Sequence, residues 1–342
     1  MSDAIQVYNV KSRTTKKRMY FSLCLIVFFT FLYFSVTSQA ALVYIARNMI
    51  PDISVLPDDY TKYTNNVTRV GDLHYPSKYG SSDFDIYYPS QSTSKASLPV
   101  IIWVHGGAFI SGDKRNVESI VSMLASAGYV VIAMNYQLAP EARYPTPVLQ
   151  VYELLNYLPS LAQAYPQIDD KRVFLAGDSA GAQISAQSVL AMSNATMRRE
   201  LNITQSIPEN IIRGVLLFCG PYSVEKTLAI DSPLIKQAFD TIGSAYLGKE
   251  LWRQSKELEQ FDIITNVTSK FPPTFIADGN YMSFSDQGKA LADTLKNKNV
   301  PVQTTFFNGS RAIPHQYQVD FSRPEAWFTF FKAKGFLQQY SE

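Results

Sequence analysis

Beyond residue 83 the chain alternates compact apolar blocks with longer amphipathic ones. Pro99–Val104, Tyr129–Asn135, Arg172–Ala176, Arg213–Cys219, Pro273–Ala277 and Val302–Phe307 are short and rich in β-formers. Asn116–Ala127, Val148–Leu161, Ala182–Met192, Ser285–Lys296 and Pro324–Phe336 carry helical spacing between and after them. Short apolar strands alternating with helices predict a mainly parallel sheet with both faces covered. Val67–Leu73 and Phe84–Tyr88 read as a strand pair that opens this sheet. Residues 221–271 break the alternation. They show no strand pattern and carry Phe239, Tyr246, Trp252 and Phe261. A helical excursion is expected there, packed on the core, covering a site as a cap, or both.

The N-terminus has a different pattern. Lys11, Arg13, Lys16, Lys17 and Arg18 precede Met19–Val36, a run without a charge, and Ala40–Ala46 is apolar again. A membrane helix needs about 20 mostly apolar residues, whereas a secretory h-region has about 7–15. The pattern therefore predicts a retained transmembrane signal anchor over 19–42, although Ser38-Gln39-Ala40 is a cleavage-like site. The basic cluster puts residues 1–18 in the cytoplasm and everything after the helix outside. Residues 43–82 would then be a linker with a possible lid segment and the first strand. Residues 83–342 would be the α/β domain, with 221–271 as its cap insertion.

Composition narrows the function classes. The 342 residues suffice for one large α/β domain plus an extra segment. A net charge of +2 leaves no nucleic-acid footprint. Of the two cysteines, Cys24 lies in the apolar run and Cys219 ends a strand, so both read as unpaired buried thiols. With three histidines and no H-x-x-x-H or C-x-x-C spacing, neither a metal nor a cofactor is expected. Asn66, Asn194, Asn202, Asn266 and Asn308 begin N-x-[ST] sequons, which bear glycans only on a eukaryotic secretory route.

The chemistry concentrates at Phe174–Ala182. Gly177-Asp178-Ser179-Ala180-Gly181 matches G-x-S-x-G, between a strand pattern and a helix pattern. A serine on a sharp strand-to-helix turn has strained backbone angles and needs small neighbours. The turn lifts its hydroxyl out of the sheet, and the helix N-terminus favours developing negative charge. Trp103-Val104-His105-Gly106-Gly107-Ala108-Phe109 follows another strand. Acyl transfer requires preorganised N–H donors for an oxyanion. An H-G-G loop supplies one arm and the N–H after the nucleophile the other. Gly106, Gly107 and Ala180 are the expected donors. His105 precedes the serine inside this loop and reads as a structural histidine.

Three motifs, His105–Ala108, Tyr136-Gln137-Leu138-Ala139-Pro140-Glu141 and Gly177–Gly181, resemble those of the hormone-sensitive-lipase-like branch of the α/β-hydrolases. The resemblance spans about Asp83 to Leu337. It implies an α/β-hydrolase fold with a partial helical cap and a serine esterase activity, with short-chain carboxylic esters as the default substrates. Ala108 stands where the branch usually has a third glycine, and Gln137 where it has arginine. By chain order the base falls downstream of the last strand, where His315 is the one histidine. The resemblance places a catalytic histidine there too.

The acid departs from the pattern. The branch reads G-x-x-D-x-L-x-D-x-G, and here Gly279-Asn280-Tyr281-Met282-Ser283-Phe284-Ser285-Asp286-Gln287-Gly288 puts Met282 at the triad position. Asp286 is the expected substitute, one turn further along a helix. Asp278 at the strand end, or no acid at all, stay open. Two readings of function follow. One is a membrane-anchored esterase working on Ser179, His315 and Asp286, with a small-molecule or cell-surface acyl ester as substrate. The other is a weak or inactive surface binding protein of the same fold, motivated by Met282. Oligomeric state is left open.

Overall fold

The computed structural model of the protein describes Leu25, Ile26, Phe29 and residues 39–50, 54–92, 97–204, 207–229, 232–248 and 252–342. The predicted span 19–42 therefore lies mostly outside the described residues. Among the described residues no helix is long and apolar enough to cross a membrane. The chain divides after Met49. Within the first unit, helix α1 covers Gln39–Met49.

The second unit, residues 50–342, is built on eight strands in the order β1-β2-β4-β3-β5-β6-β7-β8. These are β1 Val67–His74, β2 Asp83–Pro89, β3 Leu98–Val104, β4 Val130–Met134, β5 Ile168–Asp178, β6 Ile212–Phe218, β7 Thr274–Asp278 and β8 Val302–Phe306. β1 pairs antiparallel with β2, and β2 antiparallel with β4. Every other pairing is parallel. The central strands are buried on both faces, which explains the unbroken apolar runs of the sequence. Helices α2 (Glu118–Ser126), α3 (Thr146–Ala164), α4 (Ala180–Ser193), α6 (Ser285–Asn297) and α7 (Pro324–Tyr340) follow the predicted amphipathic segments, and α5 (Pro233–Leu247) lies in the expected excursion at 221–271. Between Pro221 and Phe271 the described residues are helical or irregular, as the pattern requires.

The parallel strands fix where the chemistry sits. β3, β5, β6 and β7 run the same way, so their C-terminal ends bring Val104, Asp178, Phe218 and Asp278 to one edge. The loops after them carry the oxyanion-type turn, the serine, Cys219 and the acid-loop segment. In open parallel sheets this edge is where ligands bind.

Candidate active site

Ser179 sits between β5 and α4 with φ 52° and ψ −119°. A non-glycine residue at positive φ is strained, and such strain clusters at functional sites. The small neighbours are required. A Cβ on Gly177 would lie 2.5 Å from the Gly181 backbone, and one on Gly181 would collide with the Val104 carbonyl. The turn closes because neither residue has a side chain.

His315 follows β8 in a loop tied to the segment after β7. Its N–H donates to the Tyr281 carbonyl at 3.1 Å, and Asn280 and Tyr281 both donate to the Ile313 carbonyl. This places His315 Nε2 3.0 Å from Ser179 Oγ, across 136 residues of sequence. Phe284 packs edge-on against the imidazole at 5.5 Å. Burial pushes the imidazole down to about 4, so the ring is neutral and able to accept a proton near pH 7. Its Nδ1 is buried and has no hydrogen-bond partner among the described residues.

Asp286 is not brought to His315. Residues 279–284 form a loop with Met282 at φ 47°, and α6 begins only at Ser285. The helical register that would carry Asp286 above position 282 therefore does not exist. Asp286 lies in the first turn of α6, mostly exposed, with Oδ2 3.3 Å from Lys226 Nζ. It is a helix N-terminal charge rather than a partner of the base. Met282 points to solvent, 71% exposed. Asp278 does approach. One of its carboxylate oxygens, a ring nitrogen of His315 and Cys219 Sγ lie within 4.8 Å of one another. Asp278 is 1% exposed and accepts from the N–H groups of Gly279 (2.7 Å) and Phe284 (2.9 Å). Burial outweighs these donors and pushes its carboxyl up to about 7.

The oxyanion-type loop also departs from expectation at one donor. Gly106 N–H donates to Asp178 Oδ2 at 3.2 Å. The carboxylate lies directly beneath it, where a Cβ on Gly106 would fall 2.5 Å from Oδ2. Gly106 thus anchors the loop instead of facing the serine. Gly107 turns the chain at φ 112°, and Ala108 and Phe109 continue it at φ 53° and 64°. Ala108 and Ala180 line the cavity that contains Ser179.

Sequence reasoning passed over Asp178, Gln316 and Ala108. Asp178 takes Trp103 Nε1–H at 3.0 Å and the Gln316 side-chain amide as well as Gly106. Burial still pushes it up to about 6. One carboxylate thereby joins the oxyanion-type loop to the residue after His315. Its place inside the G-D-S-A-G motif was the available signal; Gln316 had none. His105 is structural as expected: its Nδ1 lies 2.6 Å from the Gly106 carbonyl and its ring stacks on Tyr136 at 4.4 Å. Gln137, where the branch has arginine, ties the loop after β4 to the segment before β2 by accepting from Ser81 N–H at 2.8 Å.

The cavity at Ser179 has a volume of about 90 Å3. Phe109, Phe239, Tyr246, Trp252, Phe261 and Phe284 are among its walls. The aromatic residues of 221–271 thus do cover the serine. Tyr246 stacks on Phe109 at 4.1 Å, and Trp252 is held by Asp240 Oδ1, 3.0 Å from its Nε1.

Residues 101–318 match the family model described as alpha/beta hydrolase fold. The chain belongs to that family. Its motifs place the hydrolase in the hormone-sensitive-lipase-like esterase branch, and it is a serine hydrolase of esterase or lipase type. A second model, platelet-activating factor acetylhydrolase isoform II, matches residues 26–140. Among solved structures, the hydrolase is similar to esterase B from Lactobacillus rhamnosis at 21% identity and TM-score 0.68, covering 92% of this chain and 96% of that one. It is similar to a thermophilic carboxylesterase cloned from a metagenomic library at 20% identity and TM-score 0.66, covering 90% and 99%. A bacterial heroin esterase aligns at 21% identity and TM-score 0.64, covering 88% and 97%. At these identities the structures share the fold.

Proposed function

We propose that the hydrolase cleaves carboxylic esters with short apolar acyl chains through an acyl-enzyme on Ser179. The observation that carries this reading is the 3.0 Å contact between His315 Nε2 and the Oγ of a strained serine. Ser179 Oγ attacks the ester carbonyl while neutral His315 Nε2 takes its proton. The tetrahedral oxyanion forms against the N–H groups of Gly107 and Ala180, with Ala108 replacing Gly106 in the set. The intermediate collapses, and the alcohol leaves with the proton from His315. Water then attacks the acyl-enzyme, again giving a proton to His315, and the acid is released. The acyl chain lies in the aromatic cavity, whose walls offer an apolar chain contact and a charged one nothing. The same contact counts against a protein that only binds, because binding has no use for a strained serine beside a buried base.

We further propose that residues 19–42 anchor the enzyme and leave the catalytic domain outside the cytoplasm. The basic cluster before an uncharged apolar run supports this.

The decisive measurement is hydrolysis of p-nitrophenyl acetate and butyrate by the full chain and its Ser179→Ala variant. The variant should lose at least about 10³-fold in kcat and all labelling by a fluorophosphonate. Equal rates for the two proteins would remove the serine mechanism.

A further inference from the structure

Beneath the catalytic histidine the ends of β6 and β7 bring together donor atoms that none of the bond-making steps above employs. Cys219, one residue past β6, is 1% exposed and sits at φ 55°, a strained position for a side chain with a Cβ. Its Sγ donates to Gln318 Oε1 at 3.2 Å. The sulfur, an Asp278 carboxylate oxygen and a His315 ring nitrogen lie within 4.8 Å of one another. Two buried polar atoms of this small region lack a partner among the described residues, His315 Nδ1 and Gln318 Nε2. Gln318 is itself 1% exposed. Buried polar atoms are nearly always satisfied, so two unpaired ones around Cys219 mark a candidate ligand site.

We propose that Cys219, Asp278 and His315 Nδ1 form a binding site for a zinc ion that reversibly switches the hydrolase off. The inference rests on the reading of His315 as the base. The donor set of one thiolate, one imidazole and one carboxylate suits Zn²⁺, with Gln318 beside the sulfur. Zinc bonds of about 2.0–2.3 Å separate tetrahedral ligand atoms by about 3.5 Å, so the three groups would close by about an ångström. Nothing is oxidised or reduced. The thiol releases its proton to solvent, and so does Asp278 when it is neutral. Zinc then accepts lone pairs from sulfur, oxygen and Nδ1. The consequence for catalysis follows from the imidazole's two nitrogens. With Nδ1 on the metal, the ring's one remaining proton is on Nε2. Nε2 then donates to Ser179 and cannot take its proton. An orienting carboxylate has the opposite effect, holding the proton on Nδ1 and leaving Nε2 free.

The test uses the full chain, stripped with EDTA, and p-nitrophenyl butyrate. Micromolar Zn²⁺ should lower kcat by about tenfold or more with little change in KM, and EDTA should restore it. Cys219→Ala, compared with its own metal-free rate, should need about tenfold more zinc for the same loss. Cys219→Ser keeps the size of the side chain and serves if the alanine variant fails to fold. A binding readout stands apart from activity. Co²⁺ should give a thiolate charge-transfer band in the near ultraviolet that survives in Ser179→Ala and Cys24→Ser and disappears in Cys219→Ala. A band in the Ser179→Ala protein supports the metal site even if the serine mechanism fails. Absence of the Cys219-dependent band, or equal zinc inhibition in wild type and both Cys219 variants, would overturn the site.

Discussion

The orphaned Nδ1 of His315 is the most informative atom in the molecule. A triad normally gives that nitrogen a carboxylate, and losing the acid can lower kcat by about 10⁴. Met282 cannot supply one, and Asp286 faces Lys226 instead. Asp278 is the carboxylate near the base, close but not hydrogen-bonded to it. Asp278→Asn should therefore lower kcat by more than Asp286→Asn does, with little change in KM, while remaining short of the full triad loss. Burial adds a pH signature. Asp278 is pushed up to about 7, so its carboxyl is neutral below that pH and anionic above it. An anion stabilises the imidazolium that forms in the transition state, so kcat should rise as pH climbs through 7. The rise should vanish in Asp278→Asn. His315, pushed down to about 4, should hold the acid limb of kcat/KM near that value instead of near 6.5. Stability has the opposite trend at Asp278. A raised folded-state pKa contributes stability that is fully present below the unfolded value of about 3.9 and is lost as pH rises through 7. A larger loss of kcat from Asp286→Asn than from Asp278→Asn would reverse the assignment.

Between elements, a buried lysine holds the antiparallel edge to the rest of the sheet. Lys114 is 2% exposed, and its Nζ lies 2.6 Å from Asp72, 2.9 Å from Asp83 and 2.8 Å from Asp85. Arg69 on β1 also pairs with Asp85, at 2.7 Å. The backbone N–H of Lys114 donates to Asn135 Oδ1 just past β4, at 2.7 Å. One ammonium thus neutralises carboxylates from β1 and β2 beside the start of α2. Removing the ammonium leaves buried Asp85 with Arg69 as its remaining ion-pair partner, and the loss of one partner from a buried ionic group costs up to about 3–5 kcal/mol. Lys114→Met should lower the urea midpoint accordingly at unchanged m-value. Esterase activity per folded molecule should be retained, because none of these groups touches Ser179 or His315. A midpoint within error of wild type would show that the cluster is redundant.

At the scale of the whole molecule, orientation across a membrane is the open expectation. Lys11, Arg13, Lys16, Lys17 and Arg18 lead into Met19–Val36, so the hydrolase domain should face outward. A protease added to intact cells should degrade residues 50–342. Degradation only after lysis would place the domain inside.

How much was legible in the sequence follows the range of the interactions involved. Strand and helix identities were readable because burial on both faces of a parallel sheet imposes local runs of apolar residues, as at Val100–Val104 and Val130–Met134. The nucleophile was readable because steric closure of its turn demands glycines two residues away on either side. His315 was readable from chain order. The choice between Asp286 and Asp278 was not, because Asp286 could reach the base only from a helix already begun at position 282, and the loop at Met282 delays that start to Ser285. Gly106 was misassigned because its N–H is claimed by Asp178, whose carboxylate reaches the loop only when β3 and β5 lie side by side. Cys219, Asp278, His315 and Gln318 share no local spacing. Their meeting was decided by the parallel register of β6, β7 and β8, which brings strand ends distant in sequence to one edge of the sheet.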